Sequence, residues 1–515
     1  MMKTPLSAPA ITGHWRRLAC CLGTALLTVT ASPYLGSRPA AAALKATCQA
    51  TPEQISKKKN LRQAATRGDS EASDRYKELL AAEAKRLQEC RSQNWPGNQA
   101  IWLRLYPCDA NPGVLEAALD RIVDKGYNQV YVEVFYDGQV LLPQADNPTP
   151  WPSVVRSPGF ENVDLLAESI AKGRERGLKV YAWLFTMNFG YTYGQRQDRQ
   201  EALARNGEGQ TTLSLSQEAT LHDQTGNAQV DRVFIDPYSP IARRDYSWLV
   251  SSTLKRKPDG VLFDYVRYMR GTGPASVVGG VKDLWIYGSA SRERLWQRGL
   301  NQKGTELIRR YFTQGNITAE DIQAVDNLYS NEGEPLWQGR RPPKIKTVAT
   351  AAERLPLLQW ELWYLSVAHA VQGVLDFVNL AFEPVRQQGI PGGVVFFPYA
   401  NRPVGNSGYD SRLQAWDRFP SEMEWHSMAY GNCGNTKCIV DEIQRVLRMA
   451  APETEIVPAL AGYWGKSEKD RPSLEQQMFA VQRLGRRINS VSHFAYSWQE
   501  PESDNERRFC QLKLD

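Results

Sequence analysis

The chain has 515 residues, 42% of them hydrophobic and 23% charged. That balance excludes a disordered or fibrous protein and suffices for one large folded domain with appendages. The formal charge of +6 is concentrated at the N-terminus: without Lys3, Arg16, Arg17 and Arg38 it falls to +2, which excludes a nucleic-acid binder by charge.

Residues 1–43 set Lys3, Arg16 and Arg17 ahead of the apolar stretch LACCLGTALLTVTA and end in the small residues Ala40 to Ala43. This is the order of a secretory signal peptide. The stretch is shorter than the roughly 18 apolar residues of a spanning helix, and no later run is expected to reach that length. The expectation is an exported protein, periplasmic or extracellular, with no membrane span after signal removal; an uncleaved signal anchor is the alternative. Cys20 and Cys21 leave with the leader. Cys48, Cys90, Cys108, Cys433, Cys438 and Cys510 remain, an even number suited to a disulfide-permissive compartment. Cys433 and Cys438, close together in GNCGNTKC, are the readiest pair. With five histidines and no CxxC pattern, no metal and no cofactor are expected.

Residues 44–95 are polar and helix-prone, as in RYKELLAAEAKRLQEC, and predict an N-terminal helical hairpin that a Cys48–Cys90 bridge would close. After WPGN, short apolar strands alternate with amphipathic helices: AIWLRLYP, GVLEAALDRIVDKG, QVYVEVFY, NVDLLAESIAKGRERG, LKVYAWLFT. Gly126 and Gly177 stand at helix ends, and the rhythm is that of βαβ units with a parallel sheet. A long loop from Met187 leads to RVFIDP, the helix IARRDYSWLVSSTLKRK and the strand GVLFDYV. Residues 271–350 break the repeat and read as an insertion that lids or blocks a cleft. The repeat resumes with LQWELWYLSVAHAVQGVLDFVNLAFEPVRQQG and the strands GVVFFPYA, WHSMAY, EIVPALAG and SVSHFAYSW. Eight strands with intervening helices, from residue 96 to 515, predict a (β/α)8 TIM barrel with an insertion after strand 4 and a helical N-terminal extension. A doubly wound open sheet is disfavoured because no Gly-rich phosphate loop follows the first strand, which reads LYPCDANPG.

In such a barrel, inward residues at the C-terminal strand ends carry the chemistry. Asp264 ends the apolar strand of PDGVLFDYVRYMR beside Tyr265, Arg267 and Tyr268, and Glu133 lies near the end of QVYVEVFY with Asp137 just past it. Arg104, Trp183, Tyr399, Tyr430, Tyr463, Trp464, Tyr496 and Trp498 collect at the other strand ends. Carboxylates among aromatics suit glycoside hydrolysis. One acid protonates the leaving oxygen and a second carboxylate attacks or activates water, while Trp and Tyr faces receive the C–H faces of sugar rings. Each residue also has a structural reading. Asp264 could cap a turn or brace the rim, Glu133 could anchor Arg104 across adjacent strands, and Asp236 in FIDPYSP reads as a turn or helix-start residue. His426 and His493 read as packing residues, and the aromatics could be ordinary core.

FIDPYSPIARRDYSWLV followed by PDGVLFDYVRY closely resembles the glycosyl-hydrolase-like family labelled family-10-like, exported bacterial (β/α)8 proteins. GYNQVYVEVFYDGQVLLP and RGLKVYAWLF resemble its second and third strands, WHSMAYG and FAYSW its sixth and eighth. The resemblance spans residues 97–500 apart from the insertion. It implies a carbohydrate-active barrel binding a polysaccharide or oligosaccharide, with some relatives acting on peptidoglycan glycan strands. Its acidic positions fall on Asp264 and Glu133. The expected enzyme is a two-carboxylate glycoside hydrolase with Asp264 as nucleophile or base and Glu133 as acid. Arg104, Trp183, Tyr265, Arg267, Tyr268, Tyr399, Tyr430, Trp464, Tyr496 and Trp498 are its expected substrate-binding residues. A non-catalytic glycan-binding or envelope-assembly protein on the same barrel is the alternative.

Overall fold

The computed structural model describes residues 48–216, 232–342 and 349–512. The expected leader, residues 1–43, lies outside the described residues. Eight strands carry the architecture: β1 (Asn98–Leu103), β2 (Gln129–Tyr136), β3 (Lys179–Phe185), β4 (Gly260–Asp264), β5 (Gly392–Phe396), β6 (Glu424–Ser427), β7 (Ala459–Ala461) and β8 (Ser490–Phe494). They pair in parallel in the order β6-β5-β4-β3-β2-β1-β8-β7. The ends of that row meet through bridges Trp425–Ile456 and Met428–Ala459, with the Ala429 N–H donating to the Ala459 carbonyl at 3.0 Å. The sheet is therefore a closed (β/α)8 barrel, as the alternation predicted.

Two glycines set the packing inside it. A Cβ on Gly260 would lie 2.5 Å from the Tyr181 ring, and one on Gly393 would lie 2.6 Å from His426 Nε2, so each large side chain fills the space its neighbour leaves. The Tyr181 hydroxyl donates to Glu424 Oε1 at 3.0 Å and His426 Nε2 meets Glu424 Oε2 at 3.0 Å. His426 is thus a packing histidine whose partner stands two residues away. His493 is one too: its Nδ1 meets the Tyr127 hydroxyl at 2.8 Å, and burial holds it neutral by lowering its pKa to about 3.

The N-terminal segment forms the expected hairpin, α1 (Pro52–Thr66) and α2 (Ser70–Gln93). Thr51 caps α1 in a reciprocal box with Gln54, and Asp69 caps α2. The Cys48–Cys90 disulfide closes it and Cys433–Cys438 pairs as expected. The hairpin is joined to the barrel by buried charge. Lys58 bonds Glu83 of α2 and Asp124 of α3 (Val114–Asp124) at 2.6 and 2.5 Å. Asp120 of α3 takes Arg62, the Tyr76 hydroxyl at 2.9 Å, and Arg176, past the end of α4 (Leu165–Glu175), at 2.8 Å.

A third disulfide, Cys108–Cys510, ties the C-terminal helix to the loop after β1. Beside it Arg507 bonds Asp109 at 2.7 and 2.8 Å. Replacing both Cys108 and Cys510 by Ser is expected to cost about 2–4 kcal/mol, measured by denaturant unfolding. An unchanged midpoint would assign the anchoring to the Arg507–Asp109 pair alone.

Between α5 (Pro240–Leu254) and α9 (Ala351–Gln387), β4 is followed by the insertion with α6 (Ser289–Trp296), α7 (Gln302–Gln314) and α8 (Ala319–Leu328). These helices pack towards α9, held by ion pairs such as Arg340–Glu361 at 2.8 Å and by a polar knot. Asp236 Oδ1 accepts from the Tyr238 N–H and Oδ2 from the Ser291 N–H, both at 2.9 Å, so Asp236 is the turn residue expected. His369 Nε2 meets Ser291 Oγ at 3.0 Å while Arg298 donates to Nδ1 at 2.9 Å. The proton is thereby fixed on Nε2, and Ser291 has no base to activate it. Helix α9 is long and apolar enough to cross a membrane by length and composition, contrary to the expectation that no later segment would be. Two-thirds of that window is buried inside the protein, because α9 packs against α5 and the insertion as well as the barrel.

Candidate active site

Both candidate acids reach one cavity of about 330 Å³ at the C-terminal ends of the strands. In the β2–β3 register Glu133 pairs with Trp183 before the strands slip by one residue, and in the β3–β4 register Phe185 pairs with Asp264. The bulge between Glu133 and Phe135 re-aims the end of β2, a common device beside active sites.

Glu133 is 1% exposed. Arg104, just past β1, grips both its oxygens, Nε to Oε2 at 2.5 Å and Nη2 to Oε1 at 3.2 Å. The same guanidinium meets Asp137 at 3.4 Å. One cation is therefore shared between two carboxylates. Burial, with Asp137 and Asp264 nearby, raises Glu133 to about 7 against the pull of Arg104. The side chains of Arg104 and Asp137 are 36% and 34% exposed and mark the mouth.

Asp264 is 8% exposed and is not ion-paired among the described residues. Oδ1 accepts from the Tyr265 N–H at 2.6 Å and Oδ2 from Trp183 Nε1 at 3.2 Å. Burial raises it to about 6, opposed by these donors and by the charges of Arg267 and Arg232. Arg267 does not bond the carboxylate. Its Nη1 donates to the Tyr268 carbonyl at 3.0 Å, and its guanidinium lies 4.6 Å from the centre of the Tyr265 ring.

The cavity wall is aromatic. Trp102 meets Trp183 edge-to-face at 4.7 Å, Phe494 lies 6.4 Å from Trp183, and Tyr430 lies 5.9 Å from Phe494. Of the residues expected from sequence, Asp264, Glu133, Arg104, Trp183, Tyr265, Arg267 and Tyr430 line this cavity. Five others do not. Tyr268 is buried with its hydroxyl directed at the Ala370 carbonyl of α9. Tyr399 is covered by Arg402 at 3.9 Å, and Trp464 Nε1 donates to the Tyr127 hydroxyl. Tyr496 bonds Ser503 beneath Arg507. Trp498 is stacked between Tyr463 and Arg471.

Trp102, Phe185, Arg232, Phe397, Met428 and Phe494 also line the cavity and were not singled out by the sequence. Trp102 was within reach of it, two residues before Arg104 on the same strand face. No described residue of the insertion lines the cavity. Among the described residues no cluster of His, Cys, Asp or Glu could hold a metal ion.

No family model and no curated protein matches the sequence. Among solved structures, the chain is similar to the glycoside hydrolase domain of PgaB (BpsB) from Bordetella bronchiseptica, at 14% identity over 80% of this chain and 98% of that one, TM-score 0.43. It is also similar to a GH18 chitinase from Pseudoalteromonas aurantia, at 10% identity over 80% and 99%, TM-score 0.35. A third likeness is to the beta-N-acetylhexosaminidase of Bacteroides fragilis, at 8% identity over 83% and 70%, TM-score 0.40.

Proposed function

We propose that this chain is an exported glycoside hydrolase of the family-10-like kind, cleaving a polysaccharide, cell-wall glycan in the first instance, by a two-carboxylate mechanism. One observation carries this reading: buried carboxyl groups from β2 and β4 enter a single aromatic-walled cavity whose mouth is charged. The three disulfides support export.

In this reading Glu133 is the acid. Its high pKa keeps a proton near neutrality, and Arg104 retains Asp137 when Glu133 is protonated. Asp264 is the nucleophile or base, since both its oxygens are met by N–H donors that favour the anion. Trp183, Trp102 and Tyr430 receive the sugar ring faces.

The test is release of reducing ends from peptide-free cell-wall glycan strands as a function of pH. Asp264 must be ionised, above about 6, and Glu133 protonated, below about 7. The expected kcat/KM profile is a bell with its maximum between these values. Carboxyls near their ordinary pKa would put the optimum below about 5. An optimum there removes these two residues from the acid and base roles.

The two-pronged grip of Arg104 on Glu133 favours a second reading, in which Glu133 is a brace and the barrel binds glycan without cutting it. That protein would bind the strands saturably and release no reducing ends.

A further inference from the structure

Helix α9 turns one aromatic strip to solvent. Trp360 and Tyr364, one helical turn apart, are 56% and 49% exposed, and their rings stack 5.5 Å apart at 17°. On a helix whose apolar residues are mostly buried, they form an exposed stacked aromatic pair. It leads into a second cavity, of about 140 Å³, between α9 and the loop that follows β5. Tyr364 belongs to both pair and cavity, and Tyr409, Asn401, Arg402, Asp410 and Asp417 also line it, with Asn401 donating to Asp417 at 2.6 Å. Arg402, 3.9 Å over the Tyr399 ring, also lines this cavity. Aromatic faces beside hydrogen-bonding side chains are the chemistry that binds a pyranose, whose C–H face is apolar and whose rim is hydroxylated.

The same loop connects the two cavities. Phe397 lines the catalytic one. Arg412 covers Phe397 at 4.6 Å and bonds Asp410 through both oxygens at 2.7 Å, and Asp410 lines the other.

We infer that Trp360, Tyr364 and the adjoining cavity form a secondary glycan-binding site that holds the polysaccharide away from the scissile bond. The inference rests on the proposed polysaccharide substrate, but it concerns binding and is read without catalysis. The probe is peptide-free cell-wall glycan strands cast in a native gel, run with the Asp264→Asn protein with and without Trp360→Ala and Tyr364→Ala. The gel-retardation affinity of the doubly substituted protein is expected to fall about tenfold, as loss of one to two stacking contacts does, at an unchanged melting temperature. In the active protein the same two substitutions should lower kcat/KM on long strands severalfold and leave that on a short soluble oligosaccharide unchanged.

Equal retardation of all forms, or no retardation of any, overturns the inference. A fall of equal size on long and short substrates also overturns it, because it places the defect in the catalytic cavity. Retardation that depends on the two aromatics, with no cleavage by the parent protein, upholds the site and removes only the hydrolase reading.

Discussion

Replacing Asp264 by Asn is expected to lower kcat/KM on glycan strands at least about a hundredfold, the contribution of a positioned acid or base, with an unchanged circular dichroism spectrum. Glu133→Gln should do the same. If both purified variants cleave as the parent does, the two-carboxylate assignment is wrong. A stability change should accompany the lost activity. The Asp264 pKa is raised in the folded protein, so its contribution to stability is fully present below about pH 4 and is lost as pH rises through about 6. Removing that charge should therefore raise the melting temperature of Asp264→Asn over the parent at pH 8. The gain should shrink towards pH 4. The retained Trp183 Nε1 donor facing the new amide limits the gain to less than the full shift.

The largest stability effect is expected at Lys58. Lys58→Met preserves the volume but leaves Glu83 and Asp124 buried without their cation, a loss of about 3–5 kcal/mol. Asp124 is already raised by burial in the parent protein and rises further without Lys58. The loss should therefore deepen as pH climbs above the ordinary carboxylate range and be small near pH 4. Denaturant unfolding at pH 4 and pH 8 measures it, and adding Glu83→Gln with Asp124→Asn should recover most of the stability at pH 8. An equal loss at both pH values would mean that packing, and not buried charge, joins the hairpin to the barrel.

The barrel strands were legible because each apolar run is bounded by turn residues and the period of two survives within it. The site was legible as far as that period holds. Glu133, Trp183 and Asp264 lie within strands and Arg104 just past one, and all four reach the cavity. Beyond Asp264 the period fails. Tyr265 adopts a left-handed backbone, φ 53°, which turns the chain so that Tyr265 and Arg267 face the cavity while Tyr268 goes under α9. Trp464, Tyr496 and Trp498 fail for a related reason. They follow their strands in loops or a short helix, where no periodicity assigns a side, and each found a partner elsewhere. Arg232 and Phe397 enter from loops whose course depends on distant contacts, such as Arg412 lying on Phe397. The insertion was legible as a break in the repeat, but not its seat on α9, because one of its anchors, the Ser291–His369 bond, joins residues 78 positions apart.

The Cys108–Cys510 bridge joins residues 402 positions apart, so the barrel from β2 to β8 lies within one covalent ring. A protease that nicks any external loop within that ring opens it without separating it, and both pieces stay tethered and able to reseat. Only a reductant acting together with the nick divides the molecule in two.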